Sequence, residues 1–110
     1  MRPAGGTLRI VKTYTVILSP DPNAGGYAVI VPAMPGALTE ADTRAEAVER
    51  ISDVMATWLE IAAADGYAPL DETPELITEQ VASVLEDRSE EGWDWAVELA
   101  TVSPSARVVA

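Results

Sequence analysis

The sequence contains no cysteine and no histidine, and Lys12 is its single lysine. Without cysteine there is no disulfide and no thiolate nucleophile, and without either residue the usual structural zinc sites are excluded. The missing histidine also removes the commonest general base at neutral pH. No segment is apolar for long enough to span a bilayer. Residues 8–18 are interrupted by Arg9, Lys12, Thr13 and Thr15, unlike the apolar run of a signal peptide. A cysteine-free composition suits a reducing compartment, so the expectation is a soluble, cytoplasmic protein with no membrane partner.

Positive charge is scarce as well. Seven Lys and Arg face 18 Asp and Glu, for a formal net charge of −11. The imbalance is regional: residues 40–98 hold 17 of the 18 acids against Arg44, Arg50 and Arg88. Such a field repels a nucleic-acid backbone, so direct binding of DNA or RNA is not expected. It attracts a basic partner and speeds the encounter. Plain solubility would account for the same charge.

What is present is enough apolar material for one core. The chain has 110 residues, 48% of them hydrophobic, which suits a single domain and argues against wholesale disorder. Residues 1–7 read as a small-residue tail. Residues 8–18 turn β-branched and aromatic. Tyr14, Val16 and Leu18 alternate with Thr13, Thr15 and Ile17 at the period of a strand. Residues 19–26 form a turn cluster of Ser, Pro, Asp, Asn and Gly, and a second strand follows over residues 27–31. Only antiparallel strands join through so short a loop, so the two form a hairpin. Pro32 and Pro35 cannot donate to a ladder and end the second strand. Gly36 permits a positive φ, after which residues 37–39 return as a short third strand.

A helix is predicted over residues 43–64. Thr43 and Glu46 have the capping-box form, with Thr43 accepting from the residue-46 amide and Glu46 reaching back to the Thr43 amide. Apolar residues recur at Ala47, Val48, Ile51, Val54, Met55, Trp58, Leu59 and Ala62. Gly66 stops the helix. A second helix starts with Thr73 as cap and Pro74 in the first turn, and its stripe of Ile77, Val81, Val84 and Leu85 is expected to be buried. Trp93, Trp95, Val97 and Leu99 then alternate with polar or small residues, which reads as a strand. Residues 107–109 read as a frayed terminal strand.

The chemistry-bearing groups all have simpler readings. Glu40, Asp42, Glu46, Glu49 and Asp53 are carboxylates of the kind that hold Mg²⁺, but an exposed helix face is normally charged and no metal is expected. No serine has a base in an activating pattern. Gly25-Gly26 precedes a strand and lacks a phosphate-loop lysine, so it is a hairpin turn. Trp93 and Trp95 would share one strand face. A base-stacking role would need a basic surround, whereas Glu90, Glu91, Asp94 and Glu98 surround them, so packing or an oligomer interface is expected instead.

The order Tyr14-Thr15-Val16-Ile17-Leu18, Gly25-Gly26-Tyr27, Val29, Val31-Pro32, Pro35-Gly36, Thr39, Asp42-Thr43, Glu46-Ala47 and Gly66-Tyr67-Ala68-Pro69 resembles the HicB-like antitoxin family. The likeness runs over about residues 14–70. It departs from the family pattern at Ala33, Ala37 and Ala41, where an acid, a Cys and a Gly are usual. The resemblance implies a partial RNase H-like α+β fold: a three-stranded antiparallel sheet with a helix packed on one face. To this the residues themselves add a C-terminal helix and strand. In that division residues 8–70 are the HicB-like domain and residues 71–110 its helix-strand extension. Gly25, Gly26, Tyr27, Pro32, Pro35, Gly36, Thr43 and Ala47 are then motif residues with structural roles.

The resemblance further implies an antitoxin that binds and neutralises a small basic HicA-type mRNA interferase, and that is no enzyme and needs no cofactor. It implies a homo-oligomer, a dimer or tetramer. By charge, Glu40, Asp42, Glu46, Glu49 and Asp53 are the expected partner-binding face, and Trp93 and Trp95 the expected oligomer interface. The alternative is a stand-alone HicB-like scaffold or small-ligand binder without a toxin. A live metal-dependent nuclease using Asp42 and Glu46 is a third reading, for which no activity is expected. Residues 71–110 match neither a helix-turn-helix nor a ribbon-helix-helix.

Overall fold

The computed structural model describes residues 12–106. The predicted tail, strand residues 8–11 and terminal strand 107–109 lie outside the described residues. Six elements follow one another: β1 (Tyr14–Pro20), β2 (Tyr27–Ile30), β3 (Leu38–Ala41), α1 (Arg44–Asp65), α2 (Pro74–Glu90) and β4 (Glu98–Val102). All strand pairings are antiparallel, in the order β3-β2-β1-β4. The expected three-stranded meander is therefore part of a four-stranded sheet. The C-terminal strand joins it beside β1, with Tyr14 opposite Val102 and Leu18 opposite Glu98.

The alternation in β1 does what its period dictates. Tyr14, Val16 and Leu18 are buried in the main core with Val29 and Val31 of the β2 region and Ala47, Ile51 and Met55 of α1. Ile51 and Met55 are fully buried, and truncating a side chain of that kind to Ala costs about 2–5 kcal/mol. Ile17 points to the opposite face and is also buried. That face carries α2. Thr15 and Ser19, which alternate with Val16 and Leu18, bond through their side chains to Glu72 just before α2 and to Arg88 in its last turn. The sheet thus has a helix on each face, not on one.

Local signals explain both helices. Thr43 accepts from the Glu46 amide at 3.1 Å, and Gly66, at φ 83°, closes α1 by donating to the Ala62 carbonyl. The capping box differs from its expected form in one bond: the Glu46 carboxylate accepts from the Thr43 hydroxyl instead of the Thr43 amide. At α2, Thr73 accepts from the Leu76 amide at 3.1 Å. The stripe Ile77, Val81, Val84 and Leu85 is only half-buried, and Arg88 is the one buried residue of that helix.

The expected strand at Trp93 begins five residues late. Residues 93–97 are drawn into a loop because Arg88 donates to the Asp94 carbonyl at 2.6 Å and lies 5.3 Å from the centre of the Trp93 ring. The ladder with β1 starts at Glu98. No helix among the described residues is long and apolar enough to cross a membrane.

Candidate partner-binding surface

Two tight turns cap the opposite ends of β2. Between β1 and β2, the Asp21 carboxylate accepts from the amides of Asn23 at 2.8 Å and Ala24 at 2.9 Å, and Gly25 and Gly26 follow at φ 77° and 84°. A Cβ on Gly26 would sit 2.8 Å from the Ala41 carbonyl oxygen, so this glycine lets β3 pass close. Between β2 and β3, Val31 donates to Ala37, Met34 to Val31 and Ala37 to Met34, with Gly36 at φ 89°. Pro32 is buried within this bend and Pro35 is exposed, its carbonyl accepting from the Trp58 indole at 3.0 Å. Leu70 fastens the bend from outside by donating to Ala33 at 2.8 Å. Tyr27 packs against the core and Ala47 lies within it. Gly25, Gly26 and Gly36 shape backbone through their positive φ, whereas Tyr27 and Ala47 contribute packing.

The corner where β3 turns into α1 holds Glu40, Asp42 and Glu46, with Glu49 on the next turn of the helix, whereas Asp53 lies at the other end of the sheet, beside Ser105 and the bend at Gly36. Glu40, Asp42, Glu46, Glu49 and Asp53 are all exposed. Register places Glu40 on the α2 side of the sheet, because its neighbours Thr39 and Ala41 pair with Val29 and Tyr27 on the α1 side. The acids are not a bare patch. Arg50 stands among them, donating to the Glu40 carbonyl at 2.8 Å and pairing with Glu46 at 3.9 Å. Asp53 accepts from the Ser105 hydroxyl. Glu40 and Asp42 also border an open cleft of about 440 Å³ with Asp21, Tyr27, Arg50 and Trp93. No group of three or more Asp and Glu among the described residues is placed to hold a metal ion.

A second electrostatic link ties α1 to β4. The Arg44 guanidinium and the Glu98 carboxylate form an ion pair. Their hydrogen bonds hold Glu98 below its ordinary carboxylate value and raise Arg44 above its own.

Trp93 and Trp95 precede β4 instead of lying on it. Trp93 is half-buried beneath Arg88, while Trp95 is 69% exposed with its indole N–H on the Ser89 hydroxyl at 2.9 Å. Sequence reasoning missed the role of Arg88, which reads as one more polar residue at a helix end. The available signal was its isolation: it is the only cation between Arg50 and Arg107.

A family model described as the HicB_like antitoxin of bacterial toxin-antitoxin system matches residues 14–107. Among solved structures the chain is similar to the crystal structure of the N-terminal domain of the Burkholderia pseudomallei antitoxin HicB. The TM-score is 0.54 at 18% identity, covering 88% of this chain and 100% of that one, a likeness of fold. No curated protein matches the sequence. With the family match spanning every described strand and both helices, the chain belongs to the HicB-like antitoxin family of bacterial toxin–antitoxin systems.

Proposed function

We propose that this chain binds and neutralises a small basic HicA-type toxin, an mRNA interferase, by covering the toxin's RNA-binding surface or its catalytic histidine. The observation that carries this is a set of exposed carboxylates, Glu40, Asp42, Glu46 and Glu49 where β3 turns into α1 and Asp53 farther along the helix, on a chain of an antitoxin family. A surface that binds RNA phosphates also binds carboxylates, so such a set competes with RNA for the same cations. The acids bind and do not catalyse, and the chain works in the cytoplasm as a homo-oligomer without a cofactor.

A small basic, histidine-containing protein encoded beside this chain would favour this reading, and the test takes such a HicA-type protein as the probe. RNA cleavage by that protein is titrated with the antitoxin at low and high salt. The expected result is stoichiometric loss of cleavage, with binding weakened as salt rises. Glu46→Lys with Glu49→Lys should lower affinity about tenfold and flatten the salt dependence, with folding checked by circular dichroism. Cleavage that persists at saturating antitoxin rejects this function. Unchanged affinity in the double variant moves the contact off this corner.

The polar cleft of about 440 Å³ favours a second reading, a stand-alone ligand-binding domain with no toxin. Under that reading the neighbouring protein is not inhibited at any ratio.

A further inference from the structure

A β-sheet that does not close has two outer strands, each with a row of unpaired N–H and C=O groups that proteins normally guard. Here the outer strands are β3 and β4. β3 is guarded: it is four residues long, it carries Glu40, and the Glu40 carbonyl is taken by Arg50. β4 is different. Among the described residues it pairs only with β1. Its single charge, Glu98, is engaged by Arg44 on α1. Leu99 is 51% exposed, and the more exposed Trp95 lies just upstream. Residues 99–106 contain no charge in a chain of −11.

We infer that the β4 edge pairs with β4 of a second copy of this chain, antiparallel and centred on Ala100, which joins two four-stranded sheets into one. This rests on the homo-oligomer reading above and names its surface. Charge decides the occupant. A basic partner is drawn to carboxylates, and the β4 edge offers none that is free of Arg44. Two copies at −11 repel each other least where each carries no net charge, and this edge is such a place. The sequence is also self-complementary in this register. Centring on Ala100 sets Leu99 opposite Thr101 and Glu98 opposite Val102, so no like charges face each other. Leu99 and Thr101 lie on the same side as Ile17 and Thr15, and pairing covers the exposed Leu99. Glu40 lies on β3 and Asp42 just after it, at the far edge of each sheet from β4, so both stay open in the dimer.

Sedimentation equilibrium of the full chain tests this with two variants of exposed positions. Leu99→Lys with Thr101→Lys places lysines opposite lysines across the interface, and Leu99→Glu with Thr101→Glu does the same with carboxylates. The Lys variant lowers the magnitude of the net charge, so general repulsion alone would strengthen its self-association. Edge pairing predicts the reverse. The wild type should sediment at twice 11.7 kDa. Each variant alone should self-associate about tenfold more weakly or worse, and a one-to-one mixture of the two should recover the dimer. That recovery also shows that both variants are folded. A wild type that stays monomeric overturns both this inference and the homo-oligomer reading. A dimer that persists in the Lys variant, or a mixture that fails to recover it, overturns the β4 edge and leaves the homo-oligomer reading standing.

Discussion

Arg88 and Asp94 form an ion pair in which the cation side chain is 2% exposed and the carboxylate side chain 74%. The guanidinium does more than neutralise Asp94. It donates to the Ser19 hydroxyl and Pro20 carbonyl at the end of β1 and to the Asp94 carbonyl in the loop, while stacking on Trp93. One forked side chain thereby fastens α2, β1 and the approach to β4.

Removing that side chain should cost more than any apolar truncation on α2. Arg88→Ala leaves the Ser19 hydroxyl and two carbonyls short of a donor, and the expected loss is about 2–3 kcal/mol. Arg88→Lys keeps the charge but loses the fork, and should fall between wild type and Ala. By contrast Val81→Ala, at a half-buried position, should cost about 1 kcal/mol. Urea unfolding followed by tryptophan fluorescence measures all three. If Val81→Ala costs as much as Arg88→Ala, the helix is held by its apolar stripe and not by the clamp.

Acid should loosen two of these links. Hydrogen bonds from Arg88 and from the Ala96 amide hold the Asp94 carboxyl below its ordinary 3.8, and Arg44 holds Glu98 below its ordinary 4.5. A carboxyl with a depressed native pKa favours folding when it is ionised. That contribution is present above the ordinary value and is lost as pH falls through the depressed one. Stability should therefore be level from pH 7 to about 5 in these two terms and fall below about pH 4. Asp94→Asn with Glu98→Gln should flatten that acid limb while changing little at its lower end. Urea midpoints taken across the range check this, and an equally steep limb in the double variant would assign the acid loss to other carboxylates.

The hairpin glycines separate two kinds of cost. Gly25 and Gly26 both hold positive φ, but only Gly26 faces backbone, with the Ala41 carbonyl oxygen where a Cβ would go. Gly25→Ala should cost about 1 kcal/mol, the strain of the left-handed region alone. Gly26→Ala adds a clash that neither strand relieves without shifting, and should cost at least about twice as much. Equal losses in urea unfolding would show that β3 moves away freely.

Patterns that rest on short-range physics were readable from the residues. Thr43, Thr73, Gly36 and Gly66 each act within a few residues of themselves, and the first three strands and both helices stand close to where those signals place them. What was hidden depends on contacts far apart in the chain. Nothing near Glu98 reveals that it will lie opposite Leu18, so the fourth strand could be suspected but not placed in the sheet. At Trp93 the sequence is ambiguous, because a two-residue alternation looks the same whether a strand forms or a buried arginine holds the backbone in a loop. The acidic corner was visible as composition. That Arg50 threads it, and that Glu40 sits on the other side of the sheet from Thr39, required the fold.

The tryptophans offer a last contrast. Trp58 donates to the Pro35 carbonyl at 3.0 Å, and its ring meets Tyr67 edge-on with centroids 5.5 Å apart, so it ties α1 to the bend before β3 and to the turn after α1. The Trp95 indole N–H donates to a serine hydroxyl at the surface, and water replaces that partner readily. Trp58→Phe keeps the apolar bulk, loses the indole donor and leaves the Pro35 carbonyl without it, for an expected cost of about 1–2 kcal/mol. Trp95→Phe should stay within about 0.5 kcal/mol. A double-mutant cycle between Trp58→Phe and Tyr67→Leu should give a small coupling, because the edge-on ring contact survives the first change. Trp58→Leu with Tyr67→Leu should instead show about 0.5–1 kcal/mol, the aromatic pair itself. Coupling of the same size in both cycles would assign the link to the indole N–H and not to the rings.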